Sequence, residues 1–121
     1  METGIVIAPD LSISKREFGE PLHKTLGEAV GGWIEVVHPQ GLPRPYCLIV
    51  DEEGRLKDYP MNIFGSVLYG YVEHGQPIVG TVVLMKEGLR NGEPDIVGLD
   101  MDDIENDIYP LLRCFGELVW Q

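Results

Sequence analysis

The sequence predicts an α+β domain in which two or three helices pack on a small, mostly antiparallel sheet. Short runs of β-branched residues end at glycines and prolines, as strands do. Two other segments carry apolar residues at every fourth position, the spacing of a buried helix face. A third, acidic segment near the C-terminal end begins with a helix-capping pattern. With 121 residues, 44% of them apolar, the chain is expected to form one domain over residues 1–121, whose core needs no metal or disulfide.

The first third of the chain is predicted to hold a strand, a loop, a helix and a second strand. Their predicted bounds are 4–8 (strand), 10–19 (irregular), 21–30 (helix) and 32–39 (strand). The helix prediction rests on Pro21, a residue favoured in the first helical turn, and on apolar residues four apart from Leu22 to Val30. Gly31 is the expected helix stop.

The middle of the chain is predicted to hold three strands and a helix around an acidic turn. Their bounds are 46–50 (strand), 51–54 (turn), 55–58 (short return strand), 61–71 (helix) and 78–85 (central strand). The proline-rich loop between the strands 32–39 and 46–50 is expected to join them as an antiparallel pair. The acidic turn lacks carboxylates at alternating positions, so it is interpreted as a hairpin tip and not as a calcium loop.

The last quarter of the chain is predicted to be a loop followed by an acidic helix. Residues 86–98 contain three glycines and a proline and indicate the loop. The helix is predicted over about 100–120, with Asp100 as its N-cap and with a kink or a break at Pro110. The element order is therefore β-α-β-β-β-α-β-α.

The bulk properties of the chain exclude several classes of function. The net charge of −11 disfavours direct binding to nucleic acid or to an anionic membrane, because phosphate groups repel such a surface. No apolar run reaches the length of a membrane span, and the N-terminus lacks the features of a secretory signal. Cys47 and Cys114 each lie among apolar residues and are expected to be buried, reduced thiols. The chain is therefore expected to be cytoplasmic.

No catalytic or metal-binding pattern stands out, and the sequence favours a protein that is not an enzyme and has no cofactor. His23, His38 and His74 do not have metal-ligand spacing. Phosphate-binding glycine motifs and nucleophile elbows are missing. An enzyme whose site is assembled from scattered residues stays open as an alternative.

Three ordered blocks, GGWIEVVHP, LIVDEEGRLKDYPMNIFGSVLYG and HGQPIVGTVVL, carry a resemblance to a known family. They resemble small proteins of bacteriophages and mobile elements of Gram-positive bacteria that are classed as a domain of unknown function. The resemblance implies a phage or prophage accessory protein that works in the host cell, and it implies no reaction. Accessory proteins of this kind often inhibit host defence, so a host protein becomes the expected partner.

The acidic segment near the C-terminus is the first candidate for contact with such a partner. The partner-binding candidates are Asp102, Asp103, Glu105, Asp107 and Trp120. Carboxylates this dense cannot all face the core, so they predict a negative surface suited to a basic protein surface. A purely solubilising helix start is the alternative. The apolar end of the chain also makes a homo-oligomer plausible.

A polar group in the middle of the chain is the second candidate, for a small ligand. Its members are Asn62, Ser66, Tyr69, His74 and Gln76, with Arg44, Arg55 and Lys57 as candidates to meet a phosphate. Such a set predicts a nucleotide-like ligand, for example an immune signal that the protein sequesters. The alternative is that Asn62 and Ser66 only fasten the helix that carries them.

Overall fold

The centre of the molecule is a sheet of six antiparallel strands, to which a short seventh strand adds in parallel. A computed structural model describes residues 1–69, 77–113 and 119–120. The strands are β1 (Glu2–Ile7), β2 (Ser12–Phe18), β3 (Ile34–Val37), β4 (Tyr46–Asp51), β5 (Val82–Arg90), β6 (Glu93–Val97) and β7 (Val119–Trp120). The order across the sheet is β3-β4-β5-β1-β2-β7, and β6 pairs with β5.

Helices connect the strands and cover the sheet. They are α1 (Leu22–Val30), a 3-10 turn (Gly54–Leu56), α2 (Ile63–Tyr69), a π-helical turn (Asp103–Ile108) and α3 (Tyr109–Arg113). None of the helices in the described ranges is long and apolar enough to cross a membrane.

β5 is the strand around which the sheet is built. One of its edges pairs with β4, where Leu84 faces Leu48. Its other edge pairs with β1 near its start, through Leu84 and Ile5, and with β6 further on, through Lys86 and Val97. The chain leaving β6 stays beside β1, because the N–H of Leu99 donates to the carbonyl of Thr3 over 2.8 Å.

Two apolar clusters lie on the two faces of the sheet. Alternate residues of β4 and β5 divide between them, since successive side chains of a strand point to opposite faces. Leu48 and Leu84 belong to the cluster that includes Phe64 of α2 and Ile108 near the end of the π-helical turn. The second cluster contains Ile49 and Val83 of the sheet, with Leu26 and Val30 of α1. The fold therefore has three layers, with α1 on one face and the other helices on the opposite face.

The structure confirms the predicted α+β class and the mostly antiparallel sheet. The predicted helix over 21–30 is α1, and Gly31 ends it with a left-handed φ of 103°. The strands predicted over 32–39 and 46–50 form the antiparallel pair β3–β4.

The prediction of an irregular segment over 10–19 is wrong for most of its length, because Ser12–Phe18 form β2. β2 pairs with β1 along six residues, from Glu2 opposite Phe18 to Ile7 opposite Ile13. Three consecutive charged residues, Lys15 to Glu17, are exposed. The alternation that reveals a half-buried strand is therefore lost, although the backbone pairing continues.

The short return strand predicted over 55–58 is a 3-10 turn instead. The Asp51 carboxylate accepts the N–H of Glu53 over 2.9 Å, and the N–H of Leu56 donates to the Glu53 carbonyl over 2.9 Å. These local hydrogen bonds thus use backbone groups that would have to pair with a neighbouring strand if the segment were part of the sheet. Leu56 is 82% exposed, so its apolar character does not indicate a core strand.

The loop predicted over 86–98 is mostly a β-hairpin formed by the end of β5 and by β6. The turn residues Asn91 and Gly92 both have positive φ, 54° and 80°. Asn-Gly is the preferred pair for a two-residue hairpin turn of this kind. This dipeptide was the signal that could have revealed the hairpin.

The predicted helix over 100–120 is confirmed as far as Arg113, and the prediction is wrong for Val119–Trp120. Within the described ranges the helix ends at Arg113, and Val119–Trp120 form β7, parallel to β2. The helix does widen before Pro110, where the N–H of Tyr109 donates to the carbonyl of Ile104, five residues back. Proline has no N–H for the normal bond to the residue four positions back, which accounts for a local change of winding at this place.

Cys47 is a buried, free thiol, as predicted, whereas Cys114 lies outside the described residues. Burial, with a smaller contribution from the charge of Glu87, raises the pKa of the Cys47 thiol to about 12. In a Cys114→Ser variant we therefore expect Cys47 to resist alkylation by iodoacetamide at pH 8 in the folded protein and to react fully in denaturant. Rapid labelling of the folded variant, followed by mass spectrometry, would contradict this prediction.

Candidate functional site

Asn62 and Ser66 are completely buried and hold α2 to the sheet. The Asn62 amide donates to the carbonyls of Ile7 and Gly80, at 2.9 and 2.8 Å, and accepts the N–H of Gly65 at 2.9 Å. The Ser66 hydroxyl donates to the carbonyl of Ile78 and accepts its N–H, at 3.0 and 2.8 Å. All of these hydrogen bonds are made with buried backbone groups of the protein. Both side chains therefore fasten α2 to the rest of the fold.

Among the other members of the predicted ligand group, the structure describes the side chains of Arg44, Arg55 and Lys57, and these lie in other parts of the fold. Tyr69 is the last residue of α2, and His74 and Gln76 lie outside the described residues. Arg44 is 78% exposed and lies 3.9 Å from Glu87 at the loop before β4. Arg55 is in the 3-10 turn. The described part of the chain thus presents no shared phosphate site for these arginines.

Lys57 belongs to a compact polar cluster with Asp51 and Tyr59. The Asp51 side chain is 2% exposed. It accepts hydrogen bonds from Lys57 at 2.9 Å and from the Tyr59 hydroxyl at 3.1 Å. Burial alone would raise the pKa of Asp51, but the bonds from Lys57, the Glu53 N–H and Tyr59 outweigh it and hold the pKa below its ordinary value. The same ion pair raises the pKa of Lys57.

Glycines provide the space for this cluster. A Cβ atom at Gly32 would lie 2.6 Å from the Lys57 ammonium nitrogen, and one at Gly80 would lie 2.7 Å from the Tyr59 ring. Gly31 leaves similar room for the Tyr59 hydroxyl. The blocks that begin GGW and contain DEEGRLKDY therefore meet at one place in the fold, around the Asp51 carboxylate.

Two depressions lie on either side of this cluster. The smaller, of about 290 Å³, opens between β3, the 3-10 turn and residues 77–79. Its charged lining consists of Glu35, Asp51, Glu52, Glu53 and Arg55. The larger is an open groove of about 950 Å³ between α1, the start of β3 and the turn after β4, and Trp33 lies at its border. An excess of carboxylates lines the smaller depression, so it is unsuited to a nucleotide phosphate.

The start of the acidic helix is fixed to the sheet by one of its own carboxylates. Asp100 and Asp103 cap each other, since each side chain accepts the backbone N–H of the other, at 2.8 and 2.9 Å. Asp103 also accepts hydrogen bonds from Lys86 at 2.6 Å and from the Tyr46 hydroxyl at 2.9 Å. Burial opposes ionisation of Asp103, yet these bonds lower its pKa. The N-cap predicted at Asp100 is thus confirmed.

The remaining carboxylates of this segment face outward. Asp102, Glu105 and Asp107 are exposed. Asp107 nevertheless accepts a hydrogen bond from the Tyr46 hydroxyl. Burial of Tyr46, together with its bonds to Asp107 and Asp103, raises the pKa of its hydroxyl, so Tyr46 stays protonated at neutral pH and its single proton is shared between the two carboxylates. Of the predicted partner-binding residues, Asp103 is therefore turned inward, and Trp120 lies in β7, which pairs with β2.

Two features escaped the sequence-based interpretation. Trp33 lies in the segment 32–39 that the sequence predicts as a strand, but it is 73% exposed. The cluster of Asp51, Lys57 and Tyr59 joins residues whose spacing matches no functional motif. The glycine pair before Trp33 and Gly80 are the residues that signal a close approach of another chain segment.

The described residues contain no group of three or more His, Cys, Asp or Glu side chains placed to hold a metal ion. Comparison with curated proteins and with solved structures gives no significant match. A family model described as a domain of unknown function, DUF3846, matches residues 1–109. This match covers all strands except β7 and extends to the first residue of α3, and it shows that the chain belongs to the DUF3846 family.

Proposed function

We propose that this protein is a non-enzymatic binding protein that docks its acidic helix on a basic surface of another protein. The observation that supports this proposal is that one carboxylate of the helix is bonded to the sheet while others are exposed. Asp103 is used to anchor the helix, whereas the exposed carboxylates of Asp102 and Glu105 have no hydrogen bond or ion pair with another described residue.

The anchoring makes the acidic face a fixed surface. On the inner side, Ile104 and Ile108 are at most 1% exposed and belong to a core cluster of the sheet. Lys86 and the Tyr46 hydroxyl hold the same inner side through Asp103. A surface whose backbone is already ordered loses little backbone conformational entropy when a partner binds.

The net charge of −11 supports the same function. A strongly negative protein is steered toward positively charged partners and away from nucleic acid and other acidic proteins. The family resemblance to phage and mobile-element proteins leads us to propose that the partner is a protein of the bacterial host, such as a defence protein. We propose that binding inhibits this partner.

Charge reversal at the outer face tests this proposal. We expect D102K/E105K to weaken the complex with the captured host protein about 10-fold or more, because each reversed contact costs on the order of 1 kcal/mol at the edge of an interface. The protein would be immobilised, exposed to host lysate, and the captured protein identified and its Kd measured by calorimetry at two salt concentrations.

A matched variant separates local contact from net charge. E20K/E93K changes the charge equally, at exposed residues of other surfaces, and should bind like wild type. Equal weakening by both variants would show that only the overall charge matters. Unchanged binding by D102K/E105K would refute the acidic helix as the contact surface. Asp103 and Asp107 are left intact because both bond Tyr46.

A further inference from the structure

β3 forms one border of the sheet, and among the described residues it pairs only with β4. The carbonyl of Trp33 accepts the N–H of Glu52 at 2.8 Å, while Ile34 lies opposite Asp51. Bonded and non-bonded pairs alternate along an antiparallel ladder. The N–H and C=O groups of Ile34 and Val36 therefore point away from β4, toward the outer edge.

Carboxylates flank this edge on both faces of the sheet. The exposed ones that line the two depressions are Glu28, Glu35, Glu52 and Glu53. The basic side chains there are Lys24, Arg55 and Lys57, and Lys57 is already paired with Asp51. Both depressions thus have an excess of negative charge, and an extended chain beside β3 would place alternate side chains into each of them.

The exposed indole of Trp33 lies at the start of this edge, beside the groove. The face of an indole ring attracts lysine and arginine side chains. The border strand β6, in contrast, carries Pro94 between Glu93 and Asp95. Proline and charges are features that keep a sheet edge from pairing with another chain, and β3 contains only one charged residue and no proline.

We propose that the outer edge of β3 binds an extended, basic peptide segment of another protein as an added strand. The backbone groups of Ile34 and Val36 supply the main-chain hydrogen bonds, and the flanking carboxylates and Trp33 select lysine or arginine side chains. A second copy of this chain is disfavoured as the occupant, because each copy has a net charge of −11 and would bring like charges together. This surface is separate from the acidic helix.

The probe is a fluorescent octapeptide of lysine and valine with lysines on both faces of the extended chain. The control peptide has the same sequence with every second amide N-methylated, which retains the charge but removes strand hydrogen bonds. We expect the first peptide to bind the full chain in fluorescence anisotropy, and N-methylation to weaken binding at least 10-fold. The amide resonances of Ile34 and Val36 should shift and gain protection from hydrogen exchange.

Variants of the protein locate the binding edge. Val36→Pro removes an outward N–H without removing a bond to β4, and it should weaken binding at least 10-fold. Glu93→Lys, on the border strand β6, and D102K/E105K, on the acidic helix, should bind the peptide like wild type. Circular dichroism shows whether Val36→Pro folds. If it does not, the comparison of the two peptides and the amide shifts of the wild-type chain decide whether the peptide binds at the edge of β3.

The following results would overturn the proposal. The first is that the peptide does not bind at millimolar concentration. The second is that the N-methylated peptide binds equally well, because charge attraction without strand hydrogen bonds would then explain the binding. Concentration-dependent dimerisation in sedimentation velocity that Val36→Pro abolishes would assign the edge to a second copy. Loss of peptide binding in D102K/E105K alone would move the site to the acidic helix.

Discussion

Replacing Asn62 with alanine is expected to lower the free energy of unfolding by about 3–5 kcal/mol. The side chain is fully buried and satisfies the carbonyls of Ile7 and Gly80 and the N–H of Gly65. Each buried backbone group left without its partner costs roughly 1–3 kcal/mol, and partial relaxation keeps the total below the full sum. Urea unfolding followed by circular dichroism measures the change.

Asn106→Ala is the matched control, because Asn106 is exposed on the outer side of the π-helical turn. Its effect should stay within about 0.5 kcal/mol, as for most surface substitutions. A similarly small effect of Asn62→Ala would mean that the amide does not fasten α2 to the sheet. The ligand role predicted for Asn62 would then regain support, especially if a nucleotide raised the Tm of wild type but not of the variant.

Asp51→Asn is expected to reduce the free energy of unfolding by about 2 kcal/mol at pH 7, the typical worth of hydrogen bonds to a charged group. The substitution weakens the bonds from Lys57 and Tyr59. The folded-state pKa of Asp51 lies below its ordinary value. Its stabilisation is therefore complete above the unfolded pKa, near 4, and is lost as the pH falls through the folded pKa.

The pH dependence distinguishes this charge effect from a simple loss of packing. The stabilities of wild type and Asp51→Asn should converge as the pH falls below the unfolded pKa, near 4, because the wild-type carboxyl then takes up a proton when the chain unfolds. Asp58→Asn is the control, since Asp58 is exposed and asparagine tolerates its positive φ of 56°. A constant difference between wild type and Asp51→Asn from pH 7 to pH 2 would refute the role of the Asp51 charge.

The parts of the fold that follow from local patterns were predictable from the sequence. α1 has regular apolar spacing and a glycine stop, and β3 and β4 have apolar runs on both sides of a proline-rich loop. β2 was not predictable in this way, because Lys15 to Glu17 break the alternation and only pairing with β1 keeps them extended. β7 could not be anticipated either, since tertiary pairing with β2 and not local propensity places Val119–Trp120 in the sheet.

The sites were less predictable than the fold, because spacing along a helix does not tell which face is buried. Asn62 and Ser66 share a helix face, as expected, but that face lies against the sheet. The acidic segment is helical, as expected, yet the position of Lys86 on a neighbouring strand turns Asp103 inward. Contacts between residues distant in sequence decide both outcomes.

The pairing of β5 has a consequence for the order in which the sheet can assemble during synthesis. β1 and β4 both pair with β5 and not with each other, and Ile5 of β1 pairs with Leu84 of β5. A ribosome adds about 5–20 residues per second, so β5 follows β1 by on the order of 4–16 seconds. Meanwhile β1 can pair with β2 but not with β5, so the centre of the sheet closes only after more than half of the chain has been made.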